Sequence, residues 1–189
     1  LFRHRKAKIG LIKNNKTAII EIAEAAGSSL LKEHEKQTMI ATSYGVGEMI
    51  KKSYDFGCRE FYVGLGGSIV SDCGIGLAQS LGVQFFDKNK KLLKPIVGRG
   101  FNALSLEYIN SYSLDKIEIN LKDVEIKVAS DSNIVLTGQR GQAKTFGPQK
   151  KSTKEEIQYL DRGYKNISNI IYQQTEINVD VPYAGAGGG

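Results

Sequence analysis

The sequence predicts an α/β domain with a mixed sheet and flanking helices, and three observations support this. Short apolar runs of strand length alternate with stretches whose apolar residues recur at helical spacing. Residues 7–12 and 17–22 flank a Lys13-Asn14-Asn15-Lys16 turn, the pattern of a β-hairpin, which brings antiparallel pairing into the sheet. Residues 60–81, EFYVGLGGSIVSDCGIGLAQSL, pass from an apolar run through a glycine turn and polar residues into a helix start.

Along the chain, residues 21–26 after the hairpin read as a short helical or loop passage, closed by Gly27 at a C′ position. Tyr44-Gly45-Val46-Gly47 reads as a second glycine turn, after which Val46, Met49, Ile50 and Tyr54 repeat at helical spacing until Gly57. Phe61-Tyr62-Val63 form a strand, and Ile75, Leu77, Ala78 and Leu81 the apolar face of a helix beginning near Asp72. Residues 83–86 and 92–93 read as strands joined by an Asp87-Lys88-Asn89-Lys90 turn, and residues 103–109 as a short helix after the Gly98–Gly100 loop. Residues 116–120 and 124–129 read as strands. The second delivers Ser130, Asp131, Ser132 and Asn133 at its C-terminal end, a usual place for ligand contacts in α/β folds. Residues 152–172 form the longest helix, opened by a Thr153/Glu156 capping box and buried along Ile157, Leu160, Tyr164, Ile167 and Ile171.

With 189 residues, 41% hydrophobic and 24% charged, the chain is sized and composed as one ordinary globular domain. No apolar run approaches the ~20 residues needed to span a bilayer, and no secretory signal opens the sequence. Cys58 and Cys73 give neither a disulfide framework nor metal spacing, so the expected place is the cytoplasm. The net charge of +6 gathers at Arg3, Arg5, Lys6 and Lys8; at Lys88, Lys90, Lys91 and Lys94; and at Arg140, Lys144, Lys150 and Lys151. The first two clusters lack interleaved aromatics for base stacking and read as solvated edges, so no nucleic-acid partner is expected. The third lies in a Gly-punctuated loop suited to phosphate or carboxylate.

Gly64, Gly66 and Gly67, followed by Ser68, Ser71 and Asp72, would aim backbone N–H groups and a helix dipole at an anion. The segment lacks the Gly-Lys-Ser/Thr of a P-loop and the glycine spacing of the dinucleotide fingerprint. The residues alone leave two readings open: an oxyanion or phosphate site with a carboxylate beside it, or a tight turn whose glycines permit close packing.

GLGGSIVSDCGIGLAQSLGVQFFD resembles the signature of the type I glycerate kinases, and further segments resemble that family in the same order. These are TAIIEIA at residues 17–23, Ser43-Tyr44-Gly45-Val46-Gly47-Glu48, Arg140-Gly141-Gln142-Ala143, Phe146-Gly147-Pro148-Gln149-Lys150 and the Gly/Ala-rich residues 182–189. The resemblance implies the inserted, substrate-side domain of a two-domain enzyme, with residues 1–189 as a single α/β domain and a Rossmann-like domain missing at both ends. An A-P-D-S-F-K-G start and a later G-E-G-R-x-D segment are absent, and the chain opens without Met and stops in a glycine run, so a fragment inactive alone is expected. The implied activity is a phosphotransferase with an alcohol acceptor: ATP, with Mg²⁺, phosphorylates a hydroxyl of glycerate.

Mapped onto this sequence, Asp72 and Asp131 are the implied catalytic carboxylates; their bland readings are an N-cap and an Asx-turn. Gly66, Gly67, Ser68 and Ser71 are the implied anion-holding turn, Arg140 and Lys150 the candidate clamps for carboxylate or phosphate, and Ser43 and Gly45 a second cleft-lining turn. The metal ligands are not assigned. Ser71 stands where the family has Asn, Cys73 where it has Gly, and Ile134 and Val135 where it has Asn and Pro. A non-catalytic module binding small hydroxy acids, and a basic nucleic-acid-binding domain, are the alternatives.

Overall fold

A computed structural model describes residues 4–12, 14–130 and 132–188, so Arg3, Lys13, Asp131 and Gly189 lie outside the described residues. β1 (Gly10–Ile12) and β2 (Thr17–Glu21) form the expected hairpin, with Ile12 opposite Thr17. β2 then pairs in parallel with β3 (Glu60–Gly64), and β3 with β6 (Glu125–Ala129), giving a mixed sheet of order β1-β2-β3-β6. Ala18 and Ile20 of β2 and Phe61 and Val63 of β3 face one side. There Ala18, Ile20 and Phe61 pack with Val46, Met49 and Ile50 of α2 (Tyr44–Asp55) into the first apolar cluster.

α1 (Ala23–Ala26) is the expected short helix, but Gly27 follows it in extended conformation. Glycine is needed there because a Cβ would sit 2.4 Å from the Ala23 carbonyl oxygen. The residues read as a second glycine turn are instead the first turn of α2. Gly47 lets α2 meet α3 (Ile75–Ser80): a Cβ there would fall 2.5 Å from the Leu77 carbonyl oxygen.

The second apolar cluster lies under α5 (Lys154–Thr175), whose Leu160, Tyr164, Ile167 and Ile170 meet Phe85, Phe101 and Leu106. Thr153 accepts from the Glu156 amide at 3.2 Å and donates its own amide to Glu156 Oε2 at 2.8 Å, the expected capping box. The apolar seam is completed by Ile170 more deeply than by Ile171.

Three expectations are corrected. β4 (Gln84–Phe86) pairs with β5 (Ser111–Ser113), and residues 92–93 contribute only an isolated bridge at Leu92. Residues 116–120 form no strand: Ile119 is buried, but the backbone is held singly, Glu118 N–H by the Leu81 carbonyl and Asn120 N–H by Tyr54 Oη. Residues 103–109 tighten to a 3₁₀ turn at Ala103–Ser105, capped by Asn102 Oδ1. A short helix, α4 (Gln142–Phe146), had no periodic signal.

Candidate active site

The parallel strands β3 and β6 end side by side, and the chain leaving each one walls a cavity of about 430 Å³. Leu65, Gly66, Gly67 and Ser68 form the wall beyond β3, and Ser130 and Ser132 the wall beyond β6. Gln149, Lys150 and Lys151 close it from the loop between α4 and α5, and Ser28, Glu33 and Lys36 from the segment after α1.

The glycine turn is shaped for this place. Gly67 has φ +73°, a conformation that disfavours a side chain, and a Cβ on Gly66 would meet nothing within 4 Å. The turn is anchored at its carbonyls and flanks: Gly67 O accepts from Ser28 N–H at 2.9 Å, and Ile69 N–H donates to Ala26 O at 2.9 Å. Among the described residues, the amides of Gly66, Gly67 and Ser68 donate to no protein acceptor. Fixed amides of this kind hold an anion with little reorganisation. The Ser68 hydroxyl, by contrast, donates to the Gly188 carbonyl at 2.5 Å.

Lys150 supplies positive charge. Its Nζ donates to the Val70 carbonyl at 2.5 Å and lies 3.5 Å from Ser71 Oγ. Burial lowers its pKa to about 8, opposed by the negative charge of Asp72. Ser71 itself is buried, with its carbonyl accepting from the Tyr164 hydroxyl at 3.2 Å.

Asp72 is where sequence and structure part. It is fully buried, so the expectation of a carboxylate facing open space is corrected. Oδ2 accepts from the Ser43 amide at 2.7 Å and the Ser43 hydroxyl at 2.9 Å, and Oδ1 from the Gly74 amide at 3.1 Å. The Ser43 hydroxyl oxygen accepts in turn from Leu77 N–H at 2.8 Å, which ties the start of α2 to α3. Burial pushes the Asp72 carboxyl above its usual range, opposed by the Ser43, Gly74 and Gly76 donors. Nor is it the helix N-cap: that position is Gly74, at φ +73°. Asp72 is a buried tie that sets the geometry beneath the turn and lends its charge to Lys150.

Of the remaining expected residues, Asp131 lies outside the described residues, between cavity-lining Ser130 and Ser132. Arg140, the other candidate clamp, is exposed in the turn before α4 and does not line this cavity. Ser43 is buried against Asp72, and Gly45 lines a separate cavity of about 380 Å³ with Tyr44, Glu48 and Arg99. Cys73, at φ +53°, is inert: burial, with Asp72 and Asp180 nearby, pushes its thiol up to about 12. Lys151, of the third basic cluster, also lines the cavity, as do Lys36 and Ser28, which no sequence signal singled out.

The glycerate kinase family model matches residues 1–189. The chain belongs to the glycerate kinase family. It is 37% identical over 185 residues to a glycerate kinase of Haemophilus influenzae, covering 97% of this chain and 47% of that protein. It is 34% identical over 184 residues to the Escherichia coli K12 glycerate 2-kinase, with the same coverage of 97% and 47%. A crystal structure ascribed to glycerate kinase 2 of Salmonella typhimurium LT2 superposes with a TM-score of 0.86 at 31% identity, covering 96% of this chain and 48% of that one. This family member thus spans about half the length of the curated relatives it matches. No helix among the described residues is long and apolar enough to cross a membrane.

Proposed function

We propose that this chain is the anion-holding part of a glycerate kinase that transfers a phosphoryl group from ATP to a hydroxyl of glycerate. One observation supports the reading: Lys150 and a glycine turn, Gly66, Gly67 and Ser68, whose amides meet no protein acceptor among the described residues, line one cavity at the carboxyl ends of parallel strands. Phosphoryl transfer is mainly positioning and neutralisation of spreading negative charge, and both ATP and glycerate present anionic groups of a size for this cavity. Lys150 and the amides would hold a phosphate or the glycerate carboxylate, while Asp72 keeps the turn and Lys150 in place.

Among the described residues no three His, Cys, Asp or Glu side chains come together. Mg²⁺ enters such reactions largely on the nucleotide phosphates, and no step is assigned to it here. With Asp72 sealed and Arg140 off the cavity, a second reading survives: a module that binds a small hydroxy acid without turnover. A coupled assay for ADP release from ATP and glycerate, run on the full-length protein and its Lys150→Gln variant, separates the two. Turnover that falls at least ~100-fold in the variant supports the kinase; no turnover, with glycerate binding retained, supports the module.

A further inference from the structure

In a parallel ladder, residues directly opposite one another point to the same side of the sheet. Ala18, Phe61 and Ile126 form one such row across β2, β3 and β6, and Ile20, Val63 and Val128 the next. Both rows face the first apolar cluster. Along them exposure climbs from 0% at Ala18 and Phe61 to 41% at Ile126, and from 0% at Ile20 and 4% at Val63 to 52% at Val128. The sheet's apolar layer is therefore cut off at β6 rather than closed by polar residues.

The backbone shows the same cut. Glu125 N–H donates to Arg59 O at 2.8 Å and Ala129 O accepts from Leu65 N–H at 3.3 Å. By the alternation of the ladder, residues 125, 127 and 129 address β3, and Ile126 and Val128 turn their amides and carbonyls outward. β6 pairs with β3 alone among the described strands. It has no proline, and its one lysine, Lys127, lies on the face opposite Ile126 and Val128, where it pairs with Glu60 at 3.1 Å. Solved and curated relatives are about twice as long as this chain, so half of the family's fold lies outside these residues.

We infer that β6 is an interior strand of the whole protein: a strand from the family's other half pairs with its free edge and covers Ile126 and Val128 with alternate apolar side chains. The inference rests on family membership and not on the kinase reading, so a failed kinase assay leaves it standing.

Hydrogen exchange of the Ile126 and Val128 amides in the full-length protein tests it. Both are expected to be as protected as the Lys127 amide, at least ~100-fold slower than exposed loop amides. Val128→Lys is expected to lower the Tm by about 5 °C or more, whereas Val97→Lys, at an exposed loop position, leaves it in place. Exchange at loop rates overturns the inference. So does protection that disappears on dilution, which would mean that a second copy covers the edge.

Discussion

Replacing Asp72 by Asn separates a buried tie from a catalytic base. The two carboxylate oxygens accept from Ser43 N–H, Ser43 Oγ–H and Gly74 N–H, and the side chain has no exposure. An amide keeps one acceptor oxygen and turns an NH₂ towards the other donors. If the oxygen stays with Gly74, the Ser43 amide, 2.7 Å from Oδ2, is left buried and facing a donor. Losing a hydrogen bond to a charged acceptor and stranding a buried donor costs roughly 2–4 kcal/mol. For a chain of this size that lowers the Tm by about 5–15 °C. Differential scanning fluorimetry of this chain, and a kinase assay of the full-length protein held well below its melting point, give the two readouts. The expected outcome is a clear loss of Tm with turnover falling no more than ~10-fold. An unchanged Tm with turnover reduced ~1,000-fold would refute the reasoning and return Asp72 to the chemistry.

Other outcomes follow from the same geometry. Lys150 has a folded pKa of about 8 against an ordinary 10.5; between these values the unfolded chain binds more protons, so stability should rise with pH across that window. Lys150→Met should remove this rise, seen in urea midpoints at pH 7 and pH 10, and should stabilise the protein at pH 7 by up to about 3 kcal/mol. Binding of phosphate should weaken as pH rises through about 8 in the wild type and lose that inflexion in Lys150→Arg. Gly47→Ala drives a Cβ into the Leu77 backbone and should destabilise by about 2 kcal/mol or more, measured by chemical denaturation. Thr153→Ala should cost about 1 kcal/mol through the lost cap of α5, by the same method.

The hairpin, β3, β6 and α5 were legible because each rests on a local signal: turn residues at 13–16, apolar runs, and a capping box ahead of a 3.6-residue stripe. The pairing of β4 with β5 was not, since Ser111–Ser113 carries no apolar run and its partner is chosen by tertiary packing. Gly66, Gly67 and Lys150, singled out by turn chemistry and by a basic loop, line the same cavity. Asp72 was placed correctly in sequence but not in depth. An Asp two residues before a positive-φ glycine looks the same in letters whether it faces solvent or, as here, the buried Ser43 amide. Arg140, chosen for its planar fork and its loop, sits exposed in the turn before α4 and does not line the Lys150 cavity, a placement set by tertiary packing that the letters do not carry.

The claim that the turn amides and Lys150 form the anion site is tested most directly by titrating inorganic phosphate, and separately glycerate, into ¹⁵N-labelled protein. The Gly66, Gly67 and Ser68 amides should shift together and saturate, and in Lys150→Gln the same peaks should move only at far higher concentration. Shifts confined to the Arg140 turn or to the Gly45 cavity, with these three amides unmoved, would contradict it.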